Sequence, residues 1–466
     1  MHFNKITPAF VEELVEICGR DFVFTTGEVM DEHAQDYTED LRYFPEVVVR
    51  PGNESEVSAV MRLCNLNRVP VTPRGAGTGL SGGALPLHGG VVLSTTRFNR
   101  IISIDERNLQ ATVEPGVINQ VFKDAVAAKG LFYPPDPASR GSCFLGGNLA
   151  ECAGGPAAVK YGVTKDYVLN LRVVLPSGDA IWTGANVLKN STGYNLTQLM
   201  VGSEGTLGII TQIVFKLIPL PSHDLLMLIP FASAEKACEA VSAVFRAGIT
   251  PSAMEFMERD AIDYVMKYVD ISMSIPDDIK AHLIVAVDGN DLDALFKDCE
   301  RISEIMYAHG ASDVMFADTD KQKSELWKMR RAVGEAVKAH SIYKEEDTVV
   351  PRAELPTLLR GVKSIGDRYG FQSVCYGHAG DGNLHVNIIR GDLTEAQWNE
   401  NVTKGIREIF ELCVKLGGTI SGEHGIGLVQ KGYMDIAFDD VQMQLQKGIK
   451  QLFDPNHILN PGKIFP

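Results

Sequence analysis

A glycine-rich segment that joins two strand patterns constrains the fold more than any other feature of this chain. The segment PRGAGTGLSGGALP spans residues 73–86, follows the strand pattern VPVT and runs into a second strand pattern, LPLHGGVVLS. Glycine allows positive φ angles and a close approach of the backbone to a ligand, and consecutive N–H groups in such a turn can surround an anion. The glycines are Gly75, Gly77, Gly79, Gly82 and Gly83. The pattern predicts a pyrophosphate-binding loop, although glycine content alone fits a plain connection equally well.

Two other phosphate-binding loops fit this segment less well. A P-loop needs a lysine directly after its last glycine, and no lysine stands there. A dinucleotide-binding loop of the Rossmann type opens a long helix and is followed by an acidic residue roughly 20 positions later. Because a strand pattern follows instead, the loop is predicted to lie between strands, and a nicotinamide-dependent dehydrogenase is disfavoured.

Net charge and cysteine spacing exclude several classes of protein. The formal net charge is −15, which disfavours a nucleic-acid partner and means that a pocket for an anionic substrate must carry local positive charge. The eight cysteines form no CxxC pair, so they are expected to be reduced thiols rather than iron–sulfur ligands. No apolar run approaches the roughly 18 residues of a membrane span. The N-terminal sequence also lacks the features of a signal peptide, so a cytoplasmic location is the default expectation.

The order of strand and helix patterns predicts an α+β protein with two principal domains. Residues 1–45 form a helical lead-in, and short strands punctuated by glycine or proline follow. After about residue 221, apolar strands alternate with longer helical patterns. The predicted domains therefore cover residues 46–221 and 222–466.

Two segments of the second domain carry a pattern suited to a metal ion. In GHAGDGNLHVN (residues 377–387), His378 and His385 flank the turn signal Asp381-Gly382, so a hairpin would bring the two imidazoles together. Glu423 lies in the later segment SGEHGIG. Two histidines and one carboxylate suit Zn²⁺ or Mn²⁺ and leave coordination positions open. The alternative is a pair of hydrogen-bonded structural histidines.

One histidine and two adjacent arginines are candidates for acid–base chemistry and anion binding. Neutral imidazole suits proton abstraction near pH 7, so His424 is a candidate base, although a lone histidine beside a glutamate is often structural. Arg330 and Arg331 adjoin each other on a helix pattern and point in different directions, so they should not share one role. A guanidinium can grip a carboxylate through two parallel hydrogen bonds, whereas the alternative is a solvated or ion-paired surface arginine.

The ordered set of segments resembles FAD enzymes of the vanillyl-alcohol oxidase type, which carry a PCMH-type FAD domain. The resemblance rests on the glycine-rich loop and on YPPDPAS (133–139), GGNLAECAGGPAAVKYGVTKDYVL (146–169), NSTGYNL (190–196), VGSEGTLGIIT (201–211) and DPNHILNPGKIF (454–465). The segments around the histidines are similar to the C-terminal FAD-linked oxidase domain of D-lactate, glycolate and D-2-hydroxyglutarate dehydrogenases. The implied fold is α+β, a PCMH-type FAD-binding domain followed by a substrate domain with a ferredoxin-like antiparallel sheet.

The resemblance implies a set of cofactor-binding residues along the FAD molecule. The loop would cradle the pyrophosphate, the segments of residues 135–162 would follow the flavin and ribityl chain, and those near residue 204 the adenosine end. Thr78 stands where relatives with covalent flavin often have histidine, so non-covalent FAD is expected. The implied residues are Pro73, Arg74, Gly75, Ala76, Gly77, Thr78, Gly79, Ser81, Gly82, Pro135, Asp136, Ser139, Gly146, Gly147, Asn148, Gly154, Gly155, Tyr161, Gly162, Glu204, Gly208, Ile209 and Asn460.

The resemblance also implies a reaction, the oxidation of a small D-2-hydroxy acid to the 2-keto acid. His378, His385 and Glu423 would hold the metal that polarises the hydroxyl, and His424 would be the base during hydride transfer to flavin N5. Arg330 would bind the substrate carboxylate and Asn387 would contact the substrate. Relatives that oxidise larger diacids tend to carry a lysine where this chain has Glu345-Glu346-Asp347, which favours a monocarboxylate such as D-lactate or glycolate.

The electron acceptor and the assembly state are left open by the sequence. A separate carrier is expected, either an electron-transfer flavoprotein, a quinone system or an iron–sulfur subunit, with dioxygen a lesser choice. A homodimer is one candidate state. Two rival functions are a metal-independent PCMH-type oxidase of an alcohol or sugar, and an FAD-holding subunit of a larger glycolate oxidase complex.

Overall fold

A computed structural model describes residues 2–271 and 274–466 of the chain. These residues form two compact units, each described separately below. The first comprises Met1–Gly154, Val163–Leu220 and Glu423–Pro466, and the second comprises Gly155–Gly162 and Pro221–Gly422.

The strands and helices are numbered in chain order. The strands are β1 (Val23–Phe24), β2 (Val47–Val49), β3 (Val71–Arg74), β4 (Val91–Ser94), β5 (Ile101–Asp105), β6 (Gln110–Val113), β7 (Leu131–Phe132), β8 (Val168–Val174), β9 (Ala180–Trp182), β10 (Ile209–Lys216), β11 (Ile218–Pro219), β12 (His223–Phe231), β13 (Ala253–Glu258), β14 (Ala281–Gly289), β15 (Met315–Phe316), β16 (Tyr343–Val349), β17 (Gln372–His378) and β18 (Asn383–Ile389). The helices are α1 (Pro8–Cys18), α2 (Glu28–Glu32), α3 (Glu54–Asn67), α4 (Asn119–Ala127), α5 (Leu145–Glu151), α6 (Ala158–Tyr161), α7 (Leu196–Met200), α8 (Ala234–Arg246), α9 (Arg259–Tyr268), α10 (Leu292–Ala308), α11 (Asp320–Arg331), α12 (Val333–His340), α13 (Leu355–Tyr369), α14 (Glu395–Lys415), α15 (Met434–Ala437) and α16 (Asp440–Phe453).

The first unit contains two principal sheets. One has the order β1-β2-β4-β3, in which β4 runs parallel to both β2 and β3. The other, β5-β6-β10-β8-β9, is antiparallel throughout. Helix α3 begins after the cap Asn53, whose side chain accepts a hydrogen bond from Glu56 N, and buries its apolar face in the core beneath β2, β3 and β4.

The C-terminal segment returns to the strand that precedes the glycine-rich loop. Ile458 and Leu459 belong to the same apolar core, and the backbone of Leu459 bridges to Val71 in parallel. Asn460 N donates a hydrogen bond to Val71 O. The segment DPNHILNPGKIF therefore stabilises the start of β3, the strand that leads into the glycine-rich loop.

The second unit is built on a seven-stranded antiparallel sheet with the order β15-β12-β14-β13-β17-β18-β16. β17 and β18 form the hairpin that the turn signal predicts. Gly382 lies in its turn with φ +88°, and a Cβ there would be 1.9 Å from Val350 O, so this position requires glycine. The turn residue thus fixes which side chains of β17 and β18 face each other.

Most strand and helix predictions agree with the structure, and three differ. The N-terminal region also contains β1, which pairs with β2. The helix predicted across LWKMRRAVGEAVKAH is divided into α11 and α12, because the backbone leaves helical geometry at Ala332, where ψ is −3°. Strand β13, which the apolar pattern did not single out, is entirely buried. The domain limits at residues 46–221 and 222–466 stay predictions.

Two sequence-based expectations concern thiols and membrane spans. All eight cysteines are free thiols, and seven of them are buried. They therefore pack in the protein interior and form no disulfides. Among the helices of residues 2–271 and 274–466, none combines the length and apolar character needed to cross a bilayer.

Candidate active site

The β17–β18 hairpin places His378 and His385 side by side. Their ring centroids are 5.3 Å apart, and the ring planes are nearly perpendicular, at 81°. Both residues are buried. The hairpin pattern in the sequence therefore identified a pair of imidazoles that the fold brings together.

A buried carboxylate lies behind the first of these imidazoles. Glu255 on β13 is 0% exposed, and its Oε1 is 2.9 Å from His378 Nδ1. Its Oε2 is 2.7 Å from Nη2 of Arg330, and the guanidinium also lies over the ring of Tyr376, 5.2 Å from its centroid. Arg330, predicted to bind the substrate carboxylate, is thus a buried arginine beside the hairpin. Sequence analysis missed Glu255, for which the only signal was an acidic residue inside the apolar run AMEFME.

A second buried carboxylate lies behind the other imidazole. Asp347 on β16 is opposite His385 in the strand register, with 3.6 Å between Asp347 Oδ1 and His385 Nδ1. Its Oδ1 accepts a hydrogen bond from Asn383 Nδ2 at 2.7 Å, and its Oδ2 accepts from Gly422 N at 2.8 Å and Ser421 Oγ at 3.0 Å. A carboxylate hydrogen-bonded to Nδ1, as Glu255 is to His378, favours the tautomer with the lone pair on Nε2, the usual arrangement around metal-binding histidines. The contact of Asp347 with His385 is longer than a hydrogen bond, so it places a negative charge beside that imidazole without fixing its tautomer.

The three acidic residues of β16 have different environments. Glu346 and Asp347 are buried, and the Tyr376 hydroxyl donates a hydrogen bond to Glu345 Oε1 at 3.1 Å. The presence of these three acidic residues, where relatives that oxidise diacids tend to carry a lysine, was the reason to expect a monocarboxylate substrate. Asp347 has its oxygens occupied by hydrogen-bond donors of its own unit, which weakens that reason for this residue.

Asn387 lies two residues beyond His385 on β18 and is 0% exposed. Neither its amide oxygen nor its amide nitrogen has a hydrogen-bond partner among the residues that the structure describes. A buried amide without partners costs free energy unless a ligand or water satisfies it. The predicted substrate contact is therefore a polar side chain that is available to a ligand.

The segment that begins at Glu423 is held by residues of the first unit. The carboxylate of Glu423 accepts a hydrogen bond from Gly154 N at 3.1 Å. The carboxylate of Glu204 accepts hydrogen bonds from Ile426 N at 2.8 Å and Gly427 N at 2.6 Å. Leu428 N donates to Ser81 O at 2.7 Å. The half-buried His424 therefore lies in a loop anchored to three of the segments that the family resemblance associates with FAD.

Two acidic side chains beside this loop are strongly affected by burial. Burial raises the pKa of Glu204 to about 7, although the amide hydrogen bonds from Ile426 and Gly427 lower it. Burial and the neighbouring Glu204 raise the pKa of Glu151 well above its ordinary value. A Cβ at Gly425, where φ is +80°, would lie 2.0 Å from Glu151 Oε2 and 3.1 Å from Glu204 Oε1. Glycine is thus required between the two carboxylates.

The cofactor-binding segments of the first unit contain several polar atoms without protein partners. Arg74 Nη1, Ser81 Oγ and Asn148 Nδ2 are buried and have no hydrogen-bond partner within the described part of the chain. Gly79 and Gly147 have no other atom within 4 Å of where a Cβ would lie, so their backbone is open on that side. Donors of this kind around an accessible backbone fit a phosphate-containing cofactor such as FAD.

Other predicted cofactor residues have structural partners. Asp136 forms ion pairs with Lys123 and Arg140, and the Tyr161 hydroxyl donates to the carboxylate of Asp288. Asn460 Nδ2 donates to Gly83 O and to Glu204 O. The polar groups of Asp136, Tyr161 and Asn460 are therefore used within the protein.

Glycine packing explains two more of the predicted positions. A Cβ at Gly146 would lie 2.5 Å from Pro115 Cβ, and one at Gly208 would lie 2.3 Å from Val173 Cγ1. Packing alone therefore requires glycine there. The remaining predicted residues lie in β3, the glycine-rich loop, the connection from β7 to α5, the segments on either side of α6, and the start of β10: Pro73, Gly75, Ala76, Gly77, Thr78, Gly82, Pro135, Ser139, Gly155, Gly162 and Ile209.

Comparison with known proteins gives matches over nearly the whole chain. Residues 45–184 match the family described as "FAD binding domain", and residues 220–464 match "FAD linked oxidases, C-terminal domain". The chain is 40% identical to D-lactate dehydrogenase of Anaerostipes hadrus, covering 99% of this chain and 98% of that protein. It is 38% identical to glycolate oxidase subunit GlcD of Bacillus subtilis, covering 99% and 97%.

A solved structure supports the same fold at low sequence identity. p-Cresol methylhydroxylase with bound substrate superposes with a TM-score of 0.79 at 19% identity, covering 98% of this chain and 96% of that one. These matches confirm the predicted α+β fold class and the resemblance stated from the sequence motifs. The chain belongs to the FAD-linked oxidase family and is an FAD-linked oxidoreductase.

Proposed function

We propose that this protein oxidises a small D-2-hydroxy acid, D-lactate or glycolate, to the 2-keto acid with non-covalent FAD and a divalent cation, Zn²⁺ or Mn²⁺. The observation that carries the proposal is the pair of buried imidazoles, one hydrogen-bonded to a buried carboxylate and the other 3.6 Å from a second, beside the buried guanidinium of Arg330. The names of the two similar proteins, a D-lactate dehydrogenase and a glycolate oxidase subunit, agree with this chemistry.

The proposed cation ligands are His378 and His385 through Nε2, with Glu423 as the third. Glu423 follows Gly422 directly in the chain, and Gly422 N is hydrogen-bonded to Asp347, the carboxylate behind His385. Nitrogen and carboxylate donors of this kind suit Zn²⁺ or Mn²⁺ and leave positions open for a substrate.

The protein side chains divide the remaining work. Arg330 binds the substrate carboxylate, and Asn387 supplies the hydrogen-bonding groups that lack a protein partner. His424 takes the hydroxyl proton, while the hydrogen on the substrate Cα leaves with its electron pair, which gives the 2-keto acid. When bound, FAD would supply the acceptor for that hydride, and a cation held by His378, His385 and Glu423 would supply the positive charge that lowers the pKa of the 2-hydroxyl.

The electrons then leave to a separate carrier. We propose an electron-transfer flavoprotein, a quinone system or an iron–sulfur subunit, because the chain has no CxxC pair for an iron–sulfur cluster of its own. The word "subunit" in the name of the Bacillus subtilis relative supports assembly with a partner chain.

The proposal is tested by a substrate screen on the purified FAD-bound protein. D- and L-lactate, glycolate and D-2-hydroxyglutarate are offered with an artificial dye as electron acceptor, before and after dialysis against a chelator. We expect turnover with D-lactate or glycolate, loss of turnover after chelation, and recovery with Zn²⁺ or Mn²⁺. Turnover confined to L-acids, or full turnover after metal removal, would contradict the proposal.

A further inference from the structure

The carboxylate of Glu255 connects two groups that the proposed reaction uses for different purposes. Oε1 is 2.9 Å from Nδ1 of His378, a proposed cation ligand. Oε2 is 2.7 Å from Nη2 of Arg330, the proposed substrate-binding arginine. All three residues are buried, with Glu255 0% exposed. In such an environment an ionised side chain is stable only when it is paired.

The strand register and helix α11 bring these three groups together. β13 pairs with β17 so that Phe256 lies opposite Gly377, which places Glu255 beside the end of β17 where His378 stands. Arg330 belongs to the last turn of α11 and reaches the same carboxylate from the helix. Glu255 is 123 residues from His378 in the sequence, so only the folded sheet creates the contact.

Each contact restricts the geometry of its partner. A carboxylate at Nδ1 fixes the tautomer and ring orientation of His378, and so directs Nε2 toward a cation. A carboxylate beside Nη2 holds the planar guanidinium of Arg330 in a fixed orientation through an ion pair. Nε lies on the same edge as Nη2 and has no hydrogen-bond partner among the residues described, so it remains a donor for a second anion.

We propose that Glu255 is a positioning residue that orients both His378 and Arg330, so that cation affinity and substrate-carboxylate affinity depend on one side chain. This inference rests on the proposed function. A carboxylate that only neutralised the buried charge of Arg330 would affect the folding stability. It would not affect the affinity for the cation or for the substrate carboxylate, whereas the proposed role of Glu255 affects both.

Glu258 on the same strand provides a matched control. It is 5% exposed, and its Oε1 lies 2.6 Å from Lys363 Nζ and 2.6 Å from Cys375 N. It is therefore also a buried carboxylate paired with a lysine or arginine. It lies three positions along β13, on the opposite face of the strand from Glu255, and its contacts are with residues outside the proposed site. Glu258→Gln reports the loss of a buried ion pair on this strand without the proposed positioning role.

The test uses two binding measurements on FAD-bound protein. Zn²⁺ affinity of metal-depleted protein is measured by competition with a chelating dye, and pyruvate affinity of zinc-loaded protein is measured by the change in flavin absorbance. For Glu255→Gln we expect Zn²⁺ affinity to fall about 10- to 100-fold, the range found when partners of metal ligands are changed. We expect pyruvate affinity to fall about tenfold or more, the loss typical of a charged hydrogen bond. Glu258→Gln should leave both affinities within about twofold of wild type.

A second variant covers the case in which Glu255→Gln does not fold. Glu255→Asp keeps the negative charge but shortens the side chain, so one carboxylate can no longer reach both partners. It should lower at least one affinity to the same degree. If the foldable Glu255 variants bind Zn²⁺ and pyruvate as well as Glu258→Gln does, the positioning role is wrong and the proposed function is untouched. If wild-type protein binds no Zn²⁺ or Mn²⁺, both the positioning role and the proposed metal chemistry are wrong.

Discussion

Buried carboxylates occur in both units, and the two units use them differently. In the second unit, Glu255 and Asp347 are surrounded by side-chain and backbone donors, and each faces Nδ1 of one histidine. In the first unit, Glu151 and Glu204 both lie close to Gly425, and burial raises the pKa of both. The first pair is suited to orienting imidazoles, whereas the second pair favours retention of a proton.

The difference separates two kinds of buried acidic group. A carboxylate beside an imidazole or a guanidinium group fixes the orientation of that side chain and takes no part in proton transfer. A carboxylate that accepts hydrogen bonds from Ile426 N and Gly427 N fixes the backbone next to His424 instead. The proposed chemistry therefore depends both on oriented side chains and on an oriented loop.

The largest expected effect concerns the loop of the first unit. His424→Asn removes the proposed base and keeps a polar side chain of similar size. We expect flavin reduction by D-lactate, followed under anaerobic conditions in a stopped-flow instrument, to slow by about 10²- to 10⁴-fold, the usual contribution of a general base. Pyruvate affinity is the control and should change little. Wild-type reduction rates in this variant would show that the base is another group.

The next effect concerns the guanidinium of the second unit. Arg330→Lys keeps a positive charge but loses the planar group that can make two parallel hydrogen bonds. We expect kcat/KM for D-lactate to fall about 10- to 100-fold, as for the loss of a charged hydrogen bond. The neighbouring Arg331, whose guanidinium stacks on Trp327 at 5.1 Å, gives the matched control Arg331→Lys. Equal losses in the two variants would contradict a specific role for Arg330.

Variants of Asn387 and Asn383, both on β18, distinguish an effect on catalysis from an effect on folding stability. Asn387 has no partner for its amide within residues 2–271 and 274–466, so Asn387→Leu should leave the free energy of unfolding within about 1 kcal/mol of wild type or raise it. The same change should lower kcat/KM. Asn383 donates to Asp347 and to Thr348 O, so Asn383→Leu should reduce the free energy of unfolding by about 1–3 kcal/mol. Denaturant titration measures both, and similar destabilisation in the two variants would argue against an unfilled amide at Asn387.

The smallest effect is the pH dependence of stability that comes from Glu204. Its pKa in the folded protein is about 7, above the ordinary value of 4.5, so the folded state binds this proton more tightly than the unfolded chain does. The stability that this group contributes is complete below about pH 4.5 and is lost as the pH rises to about 7. Denaturant titrations at several pH values should therefore show a flatter profile over this window for Glu204→Gln than for wild type. Parallel profiles would mean that Glu204 does not retain its proton.

Local signals in the sequence predicted the parts of the site that lie close together in the chain. The Asp381-Gly382 turn predicted the hairpin that joins His378 to His385, and the glycines of residues 75–83 predicted a loop between strands. Both features follow from backbone geometry over a few residues.

Contacts between distant segments could not be predicted in the same way. Glu255 is 123 residues from His378, and Glu204 is 222 residues from Ile426, so neither pairing leaves a periodic or local pattern. The hydrogen bonds of Asp347 to Ser421 and Gly422 likewise leave no local pattern, so the sequence alone could not show that this carboxylate is used within the protein. Sequence patterns report which face of a strand is buried, but the tertiary fold decides which buried groups meet.

The central claim is that the hairpin imidazoles and Glu423 hold a cation through the histidine Nε2 atoms. Anomalous diffraction from crystals of the FAD-bound, zinc-loaded protein tests it most directly. We predict one strong peak at about 2.0–2.2 Å from Nε2 of His378, Nε2 of His385 and a carboxylate oxygen of Glu423, the distances usual for zinc. A peak bonded to other residues, or no peak near the two imidazoles at full zinc loading, would contradict the account.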